Sequence, residues 1–141
     1  MLHNDIKIQI KKDEGLRLFP YLDTQNKWTI GFGRNLSQKG ISHSEANFMF
    51  DNDIKESLSE LRALDWYSYQ PKPVQNALLN MHFNLGLSKL LKFKRMIAAI
   101  KNKNYTKAAH EALDSRWATQ VGERAIRIAD MIRECDGKVQ Q

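Results

Sequence analysis

The sequence predicts an α+β chain that is mostly α: a small N-terminal lobe built on a β-hairpin, a long connecting helix, and a compact helical lobe. Three observations predict this. Between Leu18 and Gly33 the apolar residues are aromatic and β-branched and are split by a polar turn, as in paired strands. From Ala46 onward the apolar residues recur at spacings of three and four, the period of a helix with one buried face. Pro71 and Pro73 interrupt that pattern, because proline cannot continue a helix.

The 141 residues, 42% hydrophobic and 27% charged, describe one globular domain, 1–141, long enough to bury a core without disulfides or a structural metal. Within it the small lobe is expected over about 13–45, the connecting helix over about 42–65 and the helical lobe over about 71–135. The net charge of +6, from 22 Lys+Arg against 16 Asp+Glu, points to an anionic partner or simply to solubility. Cys135 is the one cysteine. It excludes an internal disulfide, and in the polar tail IRECDGKVQQ it has no surroundings of a nucleophile.

The opening MLHNDIKIQIKK lacks a continuous apolar run, so no secretory signal is expected. Nothing approaches the length of a membrane span. The chain is expected to be made in the cytoplasm.

Taken in order, Asn4 to Lys12 is ambiguous. Ile6, Ile8 and Ile10 alternate as in a strand, whereas Asn4 or Asp5 could cap a short helix. LFPYLD and KWTIGFG then read as two strands around TQN. Pro20 assigns the first to an edge or bulged position, and Gly31 and Gly33 allow a bend or a close backbone approach. Ser42-x-x-Glu45 is a capping box. It opens a helix whose buried face is Ala46, Met49, Phe50, Ile54, Leu58 and Leu61, ending near Leu64 or Asp65. WYSYQPKP is a stiff connection. Four further helices follow: Val74 to Leu85 with Gly86 as C-terminal cap, Leu91 to Ile100, Ala108 to Leu113 with Thr106 as cap, and Ala125 to Ile132.

The chemistry concentrates in DEGLRLFPYLDTQNKWTIGFG, Asp13 to Gly33. Glu14 and Asp23 fall at the ends of elements, where side chains can converge on a cleft. Paired carboxylates suit glycoside hydrolysis: one protonates the leaving oxygen, and the other attacks or activates water. The Thr29 hydroxyl could hold that water. Carboxylates that merely cap turns would give the same pattern.

This stretch resembles the catalytic segment of the phage T4-type lysozyme family, glycoside hydrolase family 24, whose pattern is E-G-x-R-x-x-x-Y-x-D-x-x-G-x-x-T-I-G-x-G. Glu14, Gly15, Arg17, Tyr21, Asp23, Thr29, Ile30, Gly31 and Gly33 match it. Asn26 replaces the turn glycine; asparagine tolerates left-handed backbone. NALLNMHFNLG resembles the family's N-M-x-F-x-x-G helix through Asn80, Met81, Phe83 and Gly86. AAHEALDSRWATQ is similar to its second signature, through Ser115, Arg116, Trp117 and Gln120 among others.

The resemblance implies a lysozyme-like two-lobed fold and hydrolysis of the β-1,4 bond between N-acetylmuramic acid and N-acetylglucosamine in bacterial peptidoglycan. It implies inversion at the sugar carbon and lysis of the host cell. Glu14 would be the general acid, Asp23 the residue that orients water, and Thr29 a further ligand of that water. Gly31, Phe83, Asn84 and Gly86 would bind substrate, and Arg124 would support Glu14. Such an enzyme is expected to be a monomer without metal or cofactor. It would wait in the host cytoplasm until another protein permeabilises the membrane. Two departures stand out. Arg34 occupies a position where some members have histidine, so an ion pair made there must be lost or replaced. The short RNLSQKG makes the small lobe a trimmed one.

His3, His43, His82 and His110 lack metal-ligand spacing and read as surface or packing residues. A nucleic-acid binder would gather its cations on one element, whereas here they scatter from Lys7 to Lys138. In the tail, Arg124, Arg127 and Arg133 flank Ile126, Ile128 and Ile132. A basic amphipathic helix of this kind offers a weak auxiliary contact with anionic membrane.

Overall fold

A computed structural model of the chain describes residues 3–139, and the chain divides after Met49 into two compact units. The first begins with helix α1 (Asn4–Glu14), which resolves the ambiguous segment. On this helix Ile6 and Ile10, four apart, share a face and Ile8 lies opposite, so the three make no single apolar stripe; all three are exposed. The N-cap residue is His3, without a side-chain bond, so neither Asn4 nor Asp5 is the cap. Asp5 instead sits in the first turn and Lys11 and Lys12 in the last, each favourable to the helix dipole. Gly15 at φ 75° ends the helix and donates its N–H to Lys11 O at 2.8 Å.

Strands β1 (Arg17–Leu22), β2 (Trp28–Gly31) and β3 (Arg34–Asn35) form an antiparallel sheet in the order β1-β2-β3. Tyr21 faces Thr29 and Leu22 faces Trp28, but the register slips before Arg17 meets Gly31. Pro20 sits within the slip of this edge strand, where its missing N–H does least harm. Strand β3 and the single-turn helix α2 (Leu36–Lys39) carry no periodicity long enough to be read from sequence. Helix α2 is set by Asn35, whose side chain accepts from the Gln38 N–H at 3.1 Å.

Helix α3 (His43–Arg62) runs from the first unit into the second. Its capping box closes as the sequence predicts: the Glu45 N–H donates to Ser42 Oγ at 3.2 Å and the Ser42 N–H to Glu45 Oε1 at 2.8 Å. The buried face is shorter than its pattern. Leu61 is buried, Ile54 and Leu58 are half-buried, and Met49 and Phe50 are exposed. Spacing marks a face; it does not supply something to cover it.

The second unit holds the core. Helix α4 (Lys72–Leu85) follows Pro71, and Pro73 falls in its first turn, where an absent N–H breaks no helical bond. The connection before it is tied by Tyr67 Oη donating to Gln75 O at 3.0 Å and by Tyr105 Oη donating to Gln70 Oε1 at 2.9 Å. Burial raises both phenol pKa values above their ordinary range. The helix expected over Leu91–Ile100 is α6 (Lys94–Lys101), which starts later because Phe93, its N-cap, is in non-helical backbone; a short helix, α5 (Leu87–Leu90), precedes it.

Helix α7 (Tyr105–Leu113) is capped by Asn104 and not by Thr106. Thr106 instead donates from Oγ1 to Asp136 Oδ2 at 2.7 Å. Helix α8 (Arg116–Val121) and helix α9 (Glu123–Val139) complete the chain.

Helix α7 packs on α6 and α9, and α4 on α9. Leu61 of α3 and Leu78, Met81, Ile100, Ile128 and Ile132 are fully buried in this unit's core. Ala108, Ala109 and Ala112 of α7 and Ala125 and Ala129 of α9 are also fully buried. Small side chains at such a contact let helix axes approach closely. Ile128 and Ile132, two of the three isoleucines an amphipathic tail would offer to lipid, are thus core residues; Ile126 is exposed. No helix among the described residues is long and apolar enough to cross a membrane.

Candidate active site

Glu14 is the last residue of α1 and is exposed. Its carboxyl rests on Gly33, in the turn between β2 and β3. A Cβ built on Gly33 would lie 2.8 Å from Glu14 Cδ, 3.3 Å from Cγ and closer still to Oε2. Gly33 also has φ 74°, a region other residues rarely adopt. Glycine is therefore required here twice, by backbone conformation and by the carboxyl lying on it.

Asp23 closes the turn after β1. Its Oδ1 accepts the N–H groups of Gln25 at 2.8 Å and Lys27 at 2.9 Å. Asn26, at φ 60°, donates its N–H to Asp23 O at 3.0 Å. The left-handed backbone expected where the resembling pattern has glycine is present. The capping of a turn and a directed carboxylate are here the same geometry: two amides fix Oδ1, and Oδ2 accepts no hydrogen bond among the described residues. Thr29 is the one buried residue among those described in the first unit, 3% exposed. Its hydroxyl donates to Lys27 O at 2.9 Å, which leaves the oxygen's lone pairs as acceptors.

Gly31, at φ 70°, lines an open cavity of about 670 Å³ with Phe32, Arg34, Glu45, Phe48 and Met49. One wall is an ion pair the sequence did not disclose. Arg34 donates to both carboxylate oxygens of Glu45, at 3.0 Å from Nη1 to Oε1 and by a shorter contact from Nη2 to Oε2, and Nη1 also donates to Gly40 O at 3.1 Å. Arg34 thus makes an ion pair of its own, a fork on the capping-box glutamate. The Ser42 backbone N–H first, and then Arg34, hold the Glu45 pKa down at about 2.

The other sequence-predicted residues lie on the second unit. Phe83 is exposed and not core; its ring lies 5.4 Å from that of Phe50. Phe83 and Arg124 line one open cavity of about 270 Å³, together with Phe50, Ile54, Leu79 and Asn80. Arg124 donates from Nε to Asn80 Oδ1 at 2.8 Å and from Nη2 to Asn80 O at 3.3 Å. Asn84, one turn along, accepts the Trp117 indole N–H at 2.9 Å. The two amides that share a face of α4 therefore anchor α9 and α8. Gly86 ends α4 at φ 81° and donates its N–H to His82 O at 2.7 Å.

His82 is buried, with Nε2 3.1 Å from Glu60 Oε1 at an angle that makes no hydrogen bond. No group of three His, Cys, Asp or Glu among the described residues is placed to hold a metal. A third open cavity, of about 650 Å³, lies over Phe93 and Trp117 with Lys89, Lys92, Arg95 and Arg116 at its rim. Sequence reasoning missed Phe50, Gly33 and the Arg34–Glu45 pair as parts of these sites. The G-x-G pattern and the capping box contained the last two, without showing what they touch.

A family model described as phage lysozyme matches residues 11–131. Among curated proteins, "Probable T4-type lysozyme 1" of Dictyostelium discoideum is 28% identical, over 92% of this chain and 94% of its own length. "Probable T4-type lysozyme 2" of the same organism is 26% identical, over 89% and 91%. The "Pre-baseplate central spike protein Gp5" of Enterobacteria phage T4 is 28% identical over 87% of this chain but only 26% of its own length.

Proposed function

The chain belongs to the phage lysozyme family, and on that premise we propose that it is a muramidase that hydrolyses the β-1,4 bond between N-acetylmuramic acid and N-acetylglucosamine, inverts the sugar carbon, and lyses the host cell. Family membership makes it a lysozyme-type glycosidase that degrades peptidoglycan; the bond, the stereochemistry and the residue roles are the proposal.

One observation carries the reading of the residues. Asp23 Oδ1 is fixed by two amides and Oδ2 is unengaged, while Thr29 Oγ1 is turned by its own donation to Lys27 O. Two acceptors so fixed suit a water that gives one hydrogen to each and presents its lone pair to the sugar. In this scheme Glu14, protonated, gives its proton to the leaving glycosidic oxygen as the C–O bond breaks. Water forms the new bond from the opposite face, and its proton passes to the Asp23 carboxylate. Solvent then returns a proton to Glu14 and removes one from Asp23. Positioning of this kind, with acid and base already in place, is what lowers the barrier.

Gly31, Phe83, Asn84 and Gly86 complete the reading as substrate contacts. Exposed Phe83 and the backbone at Gly31 and Gly86 are the surfaces on offer. Arg124 supports the acid in this scheme.

The test is clearing of a peptidoglycan suspension by wild type and Glu14→Gln, with circular dichroism to show that both are folded. Glu14→Gln is expected to abolish clearing. Clearing that continues undiminished overturns the assignment. The anomer released first, read by proton NMR, checks inversion: a β-linked substrate must give the α product.

A further inference from the structure

We propose that Arg34 is a positioning residue for Glu14, acting through the Gly33 turn, and that the Arg34–Glu45 pair takes the part of a brace behind the catalytic acid. The inference rests on Glu14 being the general acid.

The chain of contact is short. The Glu14 carboxyl lies on the Cα of Gly33. Gly33 is bonded to Arg34, and Arg34 with Asn35 forms β3, so that Ile30 pairs with Arg34 and Thr29 with Asn35. A strand of two residues at the sheet edge has little of its own to hold it. The guanidinium supplies what the ladder lacks: it forks onto Glu45 and reaches Gly40 O. Glu45 is itself fixed at the start of α3 by the Ser42 N–H. The turn that seats Glu14 is thereby tied to a 20-residue helix.

A planar fork fixes direction as well as distance, which lysine cannot do with a single ammonium. Glu45 stays ionised down to about pH 2, so the brace is intact wherever the acid must work. The same register places Thr29 opposite Asn35, so a slack β3 would loosen the proposed water site together with the acid.

The experiment compares Arg34→Met, Arg34→Lys and Glu45→Gln with wild type. Arg133→Met is the control; it breaks an exposed Asp130–Arg133 ion pair at 3.1 Å on α9. Two quantities are read: kcat and KM for wall hydrolysis well below each Tm, and the carboxyl carbon-13 resonance of Glu14 across pH. Arg34→Met is expected to lower kcat about tenfold or more with KM within about twofold, since a misplacement near 1 Å can cost on the order of a hundredfold. It should also move or broaden the Glu14 resonance. Arg34→Lys should fall between Arg34→Met and wild type.

A lowered Tm with unchanged kcat and an unmoved Glu14 resonance would make Arg34 structural only and overturn the inference. A loss of kcat without any change at Glu14 overturns it as well. Should Arg34→Met fail to fold, Arg34→Lys and Glu45→Gln decide by the same two readings. If Glu14→Gln still clears cell wall, the muramidase reading fails instead, and the resonance continues to report whether Arg34 positions this carboxyl.

Discussion

Trp117 donates its indole N–H to Asn84 Oδ1 at 2.9 Å, and the edge of its ring meets Phe93 with centroids 5.8 Å apart and planes at 86°. The bond joins α8 to the last turn of α4, beside the substrate contacts proposed for Phe83 and Gly86. Trp117 is 5% exposed, so the pair combines a packed ring with a directed polar bond.

Trp117→Phe keeps most of the ring and removes the donor. A hydrogen bond of this kind contributes about 1 kcal/mol net, and the smaller ring adds the loss of some packing. Urea unfolding should show a loss of about 1–3 kcal/mol. Asn84→Ala leaves the indole N–H of a buried ring without its acceptor and should also lose about 1–3 kcal/mol. Equal stability of Trp117→Phe and wild type would show that the bond holds nothing.

Glu45 gives the pH dependence. Its folded pKa, about 2, lies below the ordinary value of 4.5. A depressed carboxylate stabilises the fold fully above the unfolded value, and the effect is lost as pH falls through the folded one. The stability gap between wild type and Glu45→Gln should therefore be constant from neutral pH to about 4.5 and should shrink between there and about 2. Thermal melts of both proteins in steps across that window check it. A gap that persists unchanged at the acid end would place the effect elsewhere.

Ile100 on α6 is fully buried in the helical unit. Ile100→Ala should cost about 2–5 kcal/mol, the range for truncating a packed aliphatic side chain. The same change at Ile126, which is 52% exposed, should fall within about 0.5 kcal/mol. Denaturant midpoints for the two variants separate a core contribution from a surface one.

The helical unit was readable because its order is apolar. Val74, Ala77, Leu78 and Met81, or Ala125, Ile128, Ala129 and Ile132, announce a buried face by their spacing, and they are buried. Where order comes from single polar bonds, the sequence was silent or misleading. Asn104, not Thr106, caps α7, because Thr106 is taken by an aspartate thirty residues away. Helix α6 begins only after Phe93 although the apolar pattern starts at Leu91, and that boundary shows only in the backbone of Phe93.

The candidate site divides the same way. Glu14, Asp23 and Thr29 stand out by their resemblance and spacing. That Asp23 is fixed by its own turn, and that Glu14 lies on Gly33, depend on backbone angles that no residue pattern states.

The first unit has one buried residue among those described, Thr29, and so little apolar surface removed from water to resist local opening. What orders it is a capped turn, a glycine contact and a charged fork. Regions held this way open far more often than a helical core does. Hydrogen exchange is expected to be slow in α4, α7 and α9 and faster in the sheet that holds Thr29 and the Asp23 turn, which an exchange experiment followed residue by residue checks.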